Sequence, residues 1–130
     1  MIDVFPIDVR DVRPIYEQIM DHIKEQVIKG ILKPGDQLPS VRQLAGSLTV
    51  NANTVTKAYQ ELERQQIIET IRGRGTFIAE LPEKEVNKAK LQEIRKALKG
   101  NCIELHYMGF SKEQIIEEIS KIYEELIKEE

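Results

Sequence analysis

From Ile15 onward the apolar side chains recur at every fourth position, at Ile15, Ile19, Ile23 and Val27, flanked by Tyr16, Met20 and Ile28. That period lines one face of an α-helix and cannot serve a strand, whose faces alternate every second residue. Pro14 suits a first helical turn and disfavours helix at Arg13, and Gly30 suits the stop. The spacing predicts a helix over 14–29. The arm before it, residues 1–13, alternates apolar and acidic character. Only 5% of the chain is aromatic and Trp is absent, so the core is expected to be aliphatic and helical rather than an aromatic-centred sandwich.

The next stretch is dense in punctuation. Pro34-Gly35 is a turn, Leu38 suits a very short strand, and Ser40 can cap a helix over 40–47. There Val41, Leu44 and Ala45 face inward, and Arg42 and Gln43 outward. The pattern breaks from Gly46 to Val50. Asn51 can then cap a third helix to about Gln65, with Val55, Ala58, Tyr59 and Leu62 on its buried face. Two β-type stretches follow, Ile67–Ile71 and Thr76–Ala79. Arg72-Gly73-Arg74-Gly75 joins them, and its glycines permit the positive φ of a tight hairpin. Helix, helix, turn, helix, hairpin is the order of a winged helix-turn-helix. The fold class expected is mainly α, an α+β winged helix-turn-helix over residues 1–80.

Pro82 marks a linker to a second region, 81–130, with 9 basic and 11 acidic residues. Leu91, Ile94, Leu98, Cys102 and Leu105 keep steps of three or four through Gly100, predicting one helix from Glu83 to Met108. Gly109 suits a left-handed C′ position, with Phe110 folded back on Leu105. Ser111-Lys112-Glu113-Gln114 is a capping box for a last helix, 111–128. Its stripe is Ile115, Ile119, Ile122 and Leu126, broadened by Ile116, Tyr123 and Ile127. These apolar faces need more partners than the chain supplies. A second copy is the expected one, through Leu91, Ile94, Leu98, Leu105, Ile115, Ile119, Ile122 and Leu126.

Composition removes several functions. Formal charge is −3, so the chain is no globally cationic nucleic-acid binder, although a local basic face remains open. The single Cys excludes a disulfide framework and a multi-Cys zinc site. No apolar run approaches the ~20 residues of a membrane helix, and the acidic N-terminus lacks a signal-peptide plan. A soluble cytoplasmic protein with no membrane role is expected. Gly73-x-Gly75 is not a phosphate loop, since no Gly-Lys-Ser/Thr follows it. Cys102 and His106 could share a helical face toward a metal. A buried thiol beside a partly buried imidazole is the plainer reading, and His22 is a surface or satisfied histidine. No metal, cofactor or catalytic set is expected.

The strongest functional feature is an absence. Between Gln37 and Gln60 there is no Asp or Glu, where composition would place about four, and Arg42 and Lys57 are the only charges. Acids are missing where helix two, the turn and the start of helix three would meet a polyanion. Asn51, Asn53, Thr54 and Thr56 are short donors at a helix N-terminus whose own N–H groups and dipole favour phosphate. Asn also reads adenine in the major groove. Arg72 and Arg74, backed by glycines, suit phosphate contact or minor-groove insertion.

Pro34-Gly35-Asp36-Gln37-Leu38-Pro39-Ser40-Val41-Arg42-Gln43-Leu44-Ala45 resembles the opening signature of the GntR-family winged helix. Val50 to Leu62 resembles its recognition helix, and Arg72-Gly73-Arg74-Gly75-Thr76-Phe77 its wing. The match spans about residues 14–79. The last fifty residues resemble the two-helix tail of the short YtrA-like branch and are too few for a large effector domain, so no effector is identified. The resemblance implies a homodimeric transcriptional regulator, usually a repressor, on a pseudo-palindromic operator in double-stranded DNA. The DNA-contacting set it implies is Ser40, Arg42, Asn51, Asn53, Thr54, Thr56, Lys57, Arg72, Gly73 and Arg74. Ala52 departs from members that carry a guanine-reading Arg there, so their operator sequences do not carry over. The competing expectation is a protein-interaction module that uses the winged fold without DNA.

Overall fold

The computed structural model describes residues 7, 8, 10–80 and 86–128. They fall into two compact units, within Met1–Pro82 and Glu83–Lys128. Residues 1–6 and 9 of the expected arm, and 81–85 of the expected linker and helix start, lie outside the described residues.

The first unit is a winged helix-turn-helix. Its helices are α1 (Ile15–Ile28), α2 (Val41–Leu48) and α3 (Ala52–Arg64), and its strands are β1 (Gln37–Leu38), β2 (Ile68–Ile71) and β3 (Gly75–Ile78). The sheet is antiparallel in the order β1-β3-β2, with Gln37 opposite Phe77 and Thr70 opposite Thr76. The period-four stripe of α1 buries Ile19 and Ile23 against Leu44 of α2, Val55 and Leu62 of α3, and Ile68 and Ile78 of the sheet. Tyr59 is the one aromatic ring among the buried members of this otherwise aliphatic cluster. Truncating a fully buried member such as Leu62 to Ala carries a typical cost of about 2–5 kcal/mol.

Among the described residues, one polar side chain is buried. Gln18 accepts from the Asp8 N–H at 2.8 Å and donates to the Asp8 carbonyl at 3.0 Å, which ties the arm to α1. Helix α2 departs from expectation at its end. It runs through Gly46 and stops at Thr49, which takes the left-handed conformation (φ 56°) and donates its N–H to the Ala45 carbonyl. A glycine inside a helix only weakens it, whereas a left-handed residue ends it.

The second unit consists of α4 (Lys88–Tyr107) and α5 (Lys112–Ile127). Helix α4 is continuous through Gly100 but starts later than Glu83. Asn87 is extended there, and its side-chain oxygen accepts the Lys90 N–H at 3.0 Å, which sets the first turn. Gly109 (φ +94°) closes the C-terminus as expected: Phe110 N–H reaches the Leu105 carbonyl at 3.0 Å and Gly109 N–H that of His106 at 3.0 Å. Ser111 and Gln114 form the capping box of α5, so this helix begins at Lys112. His106 is exposed, edge-on to Tyr107, rather than partly buried; Cys102 is half-buried. Among the described residues, no group of three or more His, Cys, Asp or Glu could hold a metal, and no helix is long and apolar enough to cross a membrane.

Candidate nucleic-acid interface

Three local devices present the expected contact residues. Ser40 takes the extended conformation before α2. Its hydroxyl oxygen accepts the Gln43 N–H at 3.1 Å, and the Gln43 side chain accepts the Ser40 N–H at 2.9 Å. This reciprocal cap leaves Arg42, the second residue of α2, exposed. Asn51 caps α3 by accepting the Asn53 N–H at 2.8 Å. Its oxygen is thereby committed and its amide NH₂ remains the outward donor. Asn53 is exposed in the first turn, while Thr54 and Thr56 are half-buried.

The third device is the β2–β3 turn. Gly73 has φ +80°, and the Arg74 N–H donates to the Ile71 carbonyl at 2.9 Å, so Arg72 and Arg74 stand exposed at the tip. Gln37 braces this turn from β1: its side-chain NH₂ donates to the Arg74 carbonyl at 3.2 Å. A Cβ on Gly75 would lie 2.6 Å from that same nitrogen and would push the Gln37 side chain aside, while the φ of +124° itself favours glycine there.

Two tyrosines organise the face, and sequence reasoning treated both only as apolar. The Tyr59 hydroxyl donates to the Pro39 carbonyl at 2.7 Å, joining α3 to the segment that enters α2. Burial pushes its phenol pKa well up, so it stays a donor. Lys57 Nζ lies 4.1 Å from the centroid of the Tyr16 ring. That cation–π contact draws Lys57 toward α1, so it is a tethered cation rather than a free one. Gln37 entered the sequence reading only as the start of the acid-free stretch and as part of the family signature, and its reach to the wing has no sequence signal.

The acid-free stretch is bounded by carboxylates already engaged. Asp36 accepts the Lys33 N–H at 2.9 Å. Glu61 is paired with Arg64 at 2.8 Å, whose hydrogen bond holds the carboxyl below its usual range. Arg42, Arg72 and Arg74 make no ion pair among the described residues. Free guanidinium groups beside helix N-terminal donors form a surface suited to phosphate and base edges. The residues expected for self-association divide by exposure: Leu91, Leu105, Ile115 and Leu126 are half-buried, and Ile94, Leu98, Ile119 and Ile122 are exposed.

Residues 15–78 match the family described as bacterial regulatory proteins, gntR family. The chain is 51% identical over 116 residues to the HTH-type transcriptional repressor YtrA of Bacillus subtilis (strain 168), which covers 89% of each chain. It resembles the crystal structure of a transcriptional antiterminator from Listeria monocytogenes EGD-e with a TM-score of 0.88 and 43% identity, over 98% of this chain and 95% of that one. The DNA-binding domain of AraR in complex with operator ORE1 is similar with a TM-score of 0.50 and 27% identity, over 57% of this chain and 90% of that one.

Proposed function

Since the chain belongs to the GntR family of DNA-binding transcriptional regulators, which are not enzymes, we propose that it is a cytoplasmic repressor that binds a pseudo-palindromic operator as a homodimer. The observation that carries this reading is the acid-free surface from Gln37 to Gln60, which combines capped helix N-termini with the unpaired arginines of α2 and the wing. Asn53 and the Asn51 amide are the base readers, Ser40 and Arg42 position the head on phosphates, and Thr54 and Thr56 bond backbone oxygens. Arg72, Gly73 and Arg74 supply the wing contact, and Lys57 adds charge from the α1 side of α3.

One head has a small interface. Two heads held at fixed spacing make the second contact effectively intramolecular, which can raise affinity roughly 10²–10⁴-fold. The exposed apolar faces of α4 and α5 are the surface proposed to join them. The test pairs a gel shift against the DNA upstream of the gene with light scattering. The wild type is expected to be dimeric and to shift one operator fragment. Ile119→Glu/Leu126→Glu is expected to be monomeric and to bind that fragment far more weakly. No shift on upstream or genomic fragments would favour an interaction module that does without DNA.

A further inference from the structure

Helices α4 and α5 carry opposite charge. Helix α4 has five basic against two acidic residues, a net of +3, and α5 two basic against five acidic, a net of −3. These charges border the apolar stripes. On a helical wheel Arg95 and Lys99 flank the Leu91-Ile94-Leu98 stripe of α4, and Glu118 and Glu125 flank the Ile115-Ile119-Ile122 stripe of α5. Charges at stripe edges select which helix packs against which, and in which pairing.

The protomer does not use this complementarity on itself. The connection after α4 is short enough to fold α5 back as a helical hairpin, yet the two helices do not pack along their lengths and neither has a buried residue. Ile94 and Ile119 are 46% and 50% exposed on the very stripes that would meet. Among the described residues the ion pairs of this unit are Lys90 with Glu93 and Lys121 with Glu117, each within one helix. Arg95, Lys99, Glu118 and Glu125 make none.

Building on the homodimer reading above, we propose that the partners exchange helices: α4 of one copy packs against α5 of the second, and the reverse at the symmetry-related contact. Pairing α5 with α5 would place −3 against −3, and α4 with α4 would place +3 against +3. The exchanged pairing alone sets +3 against −3, twice per dimer. Arg95 and Lys99 then face the acidic edge of the partner helix, and each apolar stripe is covered.

The experiment is a reciprocal charge reversal in the full chain. One variant carries Arg95→Glu and Lys99→Glu, making both helices acidic; the other carries Glu118→Lys and Glu125→Lys, making both basic. Sedimentation velocity should show each alone dissociating, with the dimer Kd raised roughly tenfold by like charges at several edges. Mixed, they should form a heterodimer, read by native mass spectrometry, because both exchanged contacts become attractive. A chain with all four substitutions should regain the homodimer, which also shows that the substitutions permit folding. An α4-reversed variant that dimerises like the wild type, or a mixture that yields no heterodimer, would overturn the exchange while leaving a dimer in place. A wild-type chain that is monomeric at micromolar concentration overturns the homodimer reading itself, and the exchange with it.

Discussion

The side chain of Gln37 donates to the backbone carbonyl of Arg74, 37 residues further along the chain, at 3.2 Å. Through this bond the strand that leads into α2 also sets the conformation of the wing tip. Gln37→Met keeps the side-chain length and removes the donor. Because Gln37 is exposed, thermal stability should change little. A net hydrogen bond of about 0.5–1.5 kcal/mol implies roughly 2- to 10-fold weaker operator binding by fluorescence anisotropy. Gly75→Ala should lose more, since its Cβ meets the Gln37 amide at 2.6 Å in a backbone region unsuited to alanine. Wild-type affinity in both variants would show that the wing needs no brace.

Asn53 is exposed at the start of α3 and its side chain caps nothing. Asn53→Ala is expected to cost about 1–3 kcal/mol of specific binding and to leave the melting temperature in place. Titration against operator and scrambled DNA separates the two effects. Loss of less than twofold on the operator would remove Asn53 from the readers.

Arg72 and Arg74 are expected to act mainly through charge. Their double Ala variant should bind operator and random DNA more weakly alike. The slope of log K against log salt should become shallower by about one to two units. An unchanged slope would mean that the wing points away from the duplex.

His22 is half-buried in α1, and burial, followed by the charge of Lys29, lowers its pKa. The unfolded chain therefore binds a proton more readily than the folded one below about pH 6.5. The stability linked to His22 is complete above that value and is lost as pH falls through its lower folded pKa. Urea denaturation at pH 7.5, 6.5 and 5.5 should show this decline, and His22→Gln should flatten it. An equal slope in both proteins would assign the decline to other groups.

The periods of α1 and α3, the caps at Ser40, Asn51 and Ser111 and the turns at Gly73 and Gly109 were all determined by the sequence itself. Each depends on residues within one or two helical turns of each other, and the physics of a stripe, a cap or a positive φ is local. The start of α4 was not read correctly, because the charged run from Glu83 reads as helix and Asn87, which caps the Lys90 N–H three residues on, stands within it. The contact residues were found by type and position: an acid-free run needs no coordinates. Only the tertiary structure decided how they are held. Gln37 meets Arg74, Lys57 leans on Tyr16 and Tyr59 finds the Pro39 carbonyl because the sheet and helix packing bring distant backbone together. Such meetings leave no periodic or local trace, since their partners are 20 to 41 residues apart and other polar side chains could have occupied each end.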